Sequence, residues 1–176
     1  MRRRGRGYVA ALLLGSAAGA HAKCDKVEIK VLPFNVIEDY SKPYKELMKI
    51  GTGGGEVGLV RTTFIARVQG CTAIVGYEAP ALYVASELVA DSCAFEHVKA
   101  HEQEHIAIYA AALSTLQARI EARVAEGQDL FEAAKTEVLA VDTDHAALDS
   151  AAEYRENATA CAGKIFKLAK LTTRQR

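Results

Sequence analysis

Proline is scarce in this chain, and none of its three prolines lies beyond Pro80. Nothing in the C-terminal half therefore forbids long helices. The four cysteines include no CxxC pair, which argues against a cysteine-bound zinc site. After residue 20 no apolar run is long enough to span a bilayer. The glycine-rich stretch from Gly51 to Gly55 lacks the glycine-lysine-serine/threonine ending of a phosphate-binding loop, so it reads as flexible chain. Net charge is missing too: 22 basic side chains balance 22 acidic ones over 176 residues. The balance conceals an asymmetry. Residues 1–22 hold Arg2, Arg3, Arg4 and Arg6 and no acid, so the remainder carries 22 − 4 = 18 bases against 22 acids, a net of −4. A mildly acidic body argues against nucleic acid as the partner. With half its residues apolar and a quarter charged, the chain is neither disordered, collagen-like nor a multi-pass membrane protein.

The first 22 residues have the layout of a secretory signal. Met1 to Gly7 is basic, Tyr8 to Ala20 is a short apolar run, and Ala20-His21-Ala22 puts small residues at −3 and −1 of a cleavage site. The expected mature protein is a single domain, residues 23–176, periplasmic or secreted. Lys23 stands where a lipoprotein would need a small residue before Cys24. In an oxidising compartment Cys24, Cys71, Cys93 and Cys161 suggest two disulfides.

The body divides into a strand-rich half and a helical half. Val27, Ile29 and Val31 alternate with Lys26, Glu28 and Lys30, the pattern of a half-buried strand. Ser41-Lys42-Pro43 opens a short helix through about Lys49. Residues 59–68 alternate as a second strand, and Cys71 to Tyr77 forms a third that should pair with it in a hairpin; Leu82 to Ala85 reads as a fourth. From Asp91 or Ser92, a capping residue, Val98, Glu102, His105, Tyr109, Leu113, Leu116, Ile120 and Val124 recur at helical spacing up to Gly127. Asp129, with Glu132 three residues on, starts a second helical stretch that runs to about Leu168, with a break expected near Val141–Asp144. The expected fold is α+β: a small antiparallel sheet packed on a long antiparallel helical hairpin.

The first long helix contains His101-Glu102-Gln103-Glu104-His105, an HExxH motif. With Val98 as zero and about 100° per residue, His101 falls at about −60°, Glu102 at about +40° and His105 at about −20°. All three lie on the stripe that elsewhere holds Leu and Ile. Polar side chains on a core-facing stripe need a partner, and a zinc ion bound by both imidazoles supplies one. Glu102 would stand beside the water on the metal and take its proton. An open zinc site needs a third protein ligand. If the helices turn near Gly127–Gln128, Cys93 and Cys161 lie about equally far from the turn, which favours a Cys93–Cys161 bridge and leaves Cys24–Cys71. The same register sets Tyr154 opposite His101 and Ser150 opposite His105. His145 is about five residues from level, an offset of roughly 7 Å that two imidazoles can span. His145 ranks first as third ligand and Glu153 second. Asp142 and Asp149 flank His145 and can hold its free ring nitrogen. His97 sits at the stripe's edge; with Tyr109 and Tyr154 it is a candidate to stabilise an oxyanion.

The chain resembles the bacterial family of predicted secreted zinc-dependent proteases, a domain family of otherwise unknown function. The resemblance covers roughly Tyr40 to Tyr154. It rests on a strand-rich part with a cysteine ahead of the motif, on Lys99-Ala100-His101-Glu102-Gln103-Glu104-His105 on a helix, and on the downstream Thr143-Asp144-His145. It implies His101, His105 and His145 as zinc ligands and Glu102 as the catalytic acid/base. The expectation is a zinc-dependent hydrolase of peptide bonds, with a peptide or protein substrate held along the 59–68 edge by strand addition. The rival expectation is a non-enzymatic periplasmic metal-binding or assembly module.

Overall fold

Two long alternating segments make the centre of the sheet. In a computed structural model that describes residues 13–14, 28–51, 56–69, 72–149 and 151–169, with 13, 14, 68, 151–154 and 157 described by backbone alone, strand β4 (Gly58–Gln69) pairs antiparallel with β5 (Thr72–Val84). This is the expected hairpin. The third and fourth expected strands are one strand. Glu78-Ala79-Pro80 interrupts the ladder without ending it: Ala79 takes φ 50° and the register shifts opposite Arg61 and Thr63. Thr62 Oγ1 donates to the Glu78 carbonyl there, at 3.0 Å.

The other edge of β5 carries two short strands in succession. β2 (Glu28–Val31) runs beside Thr72–Val75 and β3 (Ile37–Asp39) beside Ala81–Tyr83. Both are parallel to β5, as β1 (Leu13–Leu14) is to β4 at Ile65 and Ala66. The sheet is therefore mixed, with three parallel pairings around one antiparallel hairpin, and the expected antiparallel sheet is wrong. Alternation along a strand fixes which face is buried, not the direction of its neighbour. Helix α1 (Tyr44–Ile50), entered through Pro43 as expected, joins β3 to β4.

Helix α2 (Ser92–Ala125) lies across the sheet with Ala94, Val98, Glu102, His105, Tyr109, Leu116 and Ile120 buried, the periodic stripe of the sequence. Asp91 caps it, accepting from Ala94 N at 3.1 Å. At its other end Gly127 takes φ 89°, Gly127 N donates to the Val124 carbonyl and Gln128 N to that of Arg123, the paired bonds of a Schellman stop. α3 (Leu130–Leu148) returns along α2, capped by Asp129. Its buried Glu137 is gripped by Arg119 at 2.6 Å and Arg123 at 2.8 Å from α2.

The returning arm is not the single long helix of a hairpin. α3 ends at Leu148, four residues beyond the expected break, and α4 (Ala151–Leu168) is bent where Cys161, Ala162 and Gly163 take φ of 52°, 56° and 68°. Left-handed backbone costs about 1–2 kcal/mol at each non-glycine residue, so this bend needs an anchor. The Cys93–Cys161 disulfide provides it, confirming that pairing, and Ile165 beyond the bend is buried. Residues 1–12 and 15–22 of the expected signal segment, Cys24, Cys71, the glycine run 52–55 and the side chains of Glu153 and Tyr154 lie outside the described residues. Among those described, no helix is long and apolar enough to cross a membrane.

Candidate metal centre

His101 and His105 stand one turn apart on α2, their rings 4.9 Å apart and perpendicular. The third member of the site comes from the point where α3 stops. Asp149 lies just past Leu148, at φ −78° and ψ 39°, its N–H donating to the His145 carbonyl at 3.0 Å. From there its Oδ1 lies 3.2 Å from His101 Nε2 and 3.3 Å from His105 Nε2. The three ligand atoms fall within 4.8 Å of one another and can hold a metal ion. Tetrahedral bonds of about 2.0–2.1 Å put neighbouring ligand atoms about 3.3 Å apart, so both measured separations suit a zinc-sized ion. His105 is buried, while the side chains of His101 and Asp149 keep 13% and 17% exposure.

His105 is gripped at both ring nitrogens. Nε2 faces Asp149, and Nδ1 lies 2.8 Å from Nδ1 of His145, itself fully buried. The His145 ring packs on Tyr109 at 4.2 Å, and Tyr109 packs on Tyr77 at 4.6 Å. Burial first, then the charges of His101 and His145, push His105 down to about 3; burial pushes His145 down to about 4. Both imidazoles are therefore neutral at physiological pH, the form that binds metal.

Glu102 points elsewhere. Its carboxyl accepts the backbone N–H of Val60 on β4, and burial raises it to about 8. The close approach is possible because residue 58 is glycine: a Cβ there would stand 2.5 Å from Glu102 Oε1 and 2.6 Å from Val98 Cγ1. Glu102 is outside the three-residue group, as suits a residue that is not a ligand.

Of the residues singled out by sequence, the structure brings His101, His105 and His145 together, with His145 against His105 rather than within the three-ligand group. Asp149, expected as a support for His145, completes that group instead. Its signal was its place four residues after His145; what hid it was treating residues 129–168 as nearly continuous helix. Tyr109 is an interior ring on His145, its hydroxyl pushed up by burial and by the charge of Asp142. Burial likewise raises Asp142. His97 is half-buried one turn before His101 and outside the group. On the proposed substrate edge, Val60 N–H is occupied by Glu102, and Ile65 and Ala66 pair with β1. No protein-family model, curated protein or solved structure matches this chain, so the site is read from its own residues.

Proposed function

We propose that this chain is an exported zinc-dependent hydrolase of peptide bonds, with His101, His105 and Asp149 holding the ion and Glu102 as general acid/base. The observation that carries the reading is the pair of 3.2 and 3.3 Å separations from one Asp149 oxygen to two Nε2 atoms one helical turn apart. Two imidazoles and a carboxylate are a donor set that zinc accepts, and three protein ligands leave a position open. Zinc held by these three side chains would supply the Lewis acidity that hydrolysis of an unactivated carbonyl needs. Glu102 contributes the proton traffic. In its ionised form the Glu102 carboxylate would take a proton from the attacking water and return it to the leaving amine; burial opposes that ionisation, so the base role needs the site's own positive charge to offset it. Gly58 and Val60 hold that carboxyl at a fixed place beside the helix.

One observation favours the second reading, a metal-binding module without turnover: the Glu102 carboxyl is bonded to β4 and lies outside the ligand group. A single pair of variants separates the two. Asp149→Ala should lose zinc. Glu102→Gln should keep zinc and fold but lose about 10²–10⁴-fold in hydrolysis of a mixture of unfolded proteins and envelope peptides. Wild type that binds zinc tightly and cleaves nothing in that mixture supports the module. Cleavage that survives both Glu102→Gln and chelation refutes the enzyme.

A further inference from the structure

The end of α3 does two things to one imidazole. Asp149 stands at His105 Nε2, and His145, one turn earlier and tied to Asp149 by the 3.0 Å backbone bond, stands at His105 Nδ1. Two ring nitrogens 2.8 Å apart cannot both carry hydrogen along the line between them; one donates and the other accepts. An imidazole offers an Nε2 lone pair to a metal only when its hydrogen is on Nδ1. That hydrogen, on the buried side of His105, requires an acceptor.

We propose that His145 is a positioning residue rather than a ligand: its Nδ1 accepts the Nδ1–H of His105 and so leaves the His105 Nε2 lone pair directed at Asp149 and the metal position. This rests on the metal-site reading above and adds a division of labour to it. His145 is well placed for the task. Its ring is locked by packing on Tyr109 at 4.2 Å, and the rest of its surroundings are closed to water. The partner of a ligating imidazole both selects its tautomer and raises its basicity, and losing such a partner typically costs about 10–100-fold in metal affinity. The arrangement also makes the site cooperative in its construction. The segment His145–Asp149 brings the carboxylate and the acceptor to opposite sides of the same ring, so misplacing either displaces both.

The test uses the full mature chain labelled with ¹⁵N-histidine and loaded with ¹¹³Cd. Scalar coupling to the metal is expected at Nε2 of His101 and His105 and at neither nitrogen of His145, with His105 in the Nδ1–H tautomer. Coupling from cadmium to a His145 nitrogen overturns the inference. In a second arm, zinc affinity is measured for His145→Leu and His145→Asn. The leucine variant should bind about 10–100-fold more weakly, and the asparagine, whose amide oxygen can accept where Nδ1 did, should recover most of the loss. A leucine variant that binds as tightly as wild type also overturns the proposal; if it does not fold, the coupling pattern of the wild type decides. Absence of hydrolysis with the expected couplings intact removes the enzyme reading and leaves this one standing. A wild type that takes up neither ion removes the metal reading and this inference with it.

Discussion

Gly58→Ala is a one-carbon test of how the motif glutamate is held. An added Cβ would meet Glu102 Oε1 at 2.5 Å, Val98 Cγ1 at 2.6 Å and Glu102 Cγ at 2.7 Å, all closer than carbon tolerates. Something must move, and all three atoms belong to side chains buried between α2 and β4. Overpacking of this kind costs about 1–3 kcal/mol. In a domain of this size each kcal/mol lowers Tm by about 2–4 °C, so the melting point should drop by about 2–12 °C. The same shift drags the carboxyl from the Val60 N–H, so on the hydrolase reading turnover should fall further than the loss of folded protein explains. A double-mutant cycle makes the cause specific. Glu102→Ala removes two of the three clashing atoms, so Gly58→Ala should cost about 1 kcal/mol less in that background. Thermal melts of the four proteins give the stability side, and peptide hydrolysis by the two that retain Glu102 gives the rest. If the two changes add within about 0.3 kcal/mol, the close approach of β4 to Glu102 is not what residue 58 is for.

Two further predictions concern the frame. Arg119→Met and Arg123→Met should each be mild, because the other guanidinium still holds Glu137; together they strand a buried carboxylate and should cost about 3–5 kcal/mol in urea unfolding, well beyond their sum. Strict additivity would show that the two arginines do not share Glu137. Replacing Cys93 and Cys161 with serine opens a loop whose ends are 68 residues apart; chain entropy sets the loss at about 4 kcal/mol, read by the same unfolding assay, and a loss under 1 kcal/mol would contradict it.

The helical half was the more legible in sequence because every signal there is local. The stripe from Val98 to Ile120, the Asp91 and Asp129 caps and the Gly127 stop all act within one or two turns, and each is found where the spacing puts it. Cys93–Cys161 was legible for a related reason: counting equal distances from a known turn needs only an approximately antiparallel return. The sheet was less legible because strand direction depends on where the chain has travelled. Nothing in Glu28–Val31 or Ile37–Asp39 records that both would lie along one edge of β5, parallel to it. Glu78-Ala79-Pro80 carries the punctuation of a turn, yet in context it is a bulge, since the paired β4 continues past it. At the site, the HExxH residues were legible from periodicity. The division between His145 and Asp149 was not, because it turns on where α3 stops, and no glycine or proline marks that point.

The Cys93–Cys161 bond has a consequence for the order in which this protein could lose its parts. Between those two residues lie His101, Glu102, His105, His145 and Asp149, so the covalent ring encloses every candidate ligand and the candidate base. Gly58 and Val60, which fix the direction of Glu102, lie outside it. A chain whose strands have frayed while the ring stays closed would keep its candidate ligands on one covalent loop and lose what holds Glu102. On the hydrolase reading, damage to the sheet, by proteolysis or mutation, should thus abolish cleavage before it abolishes metal binding.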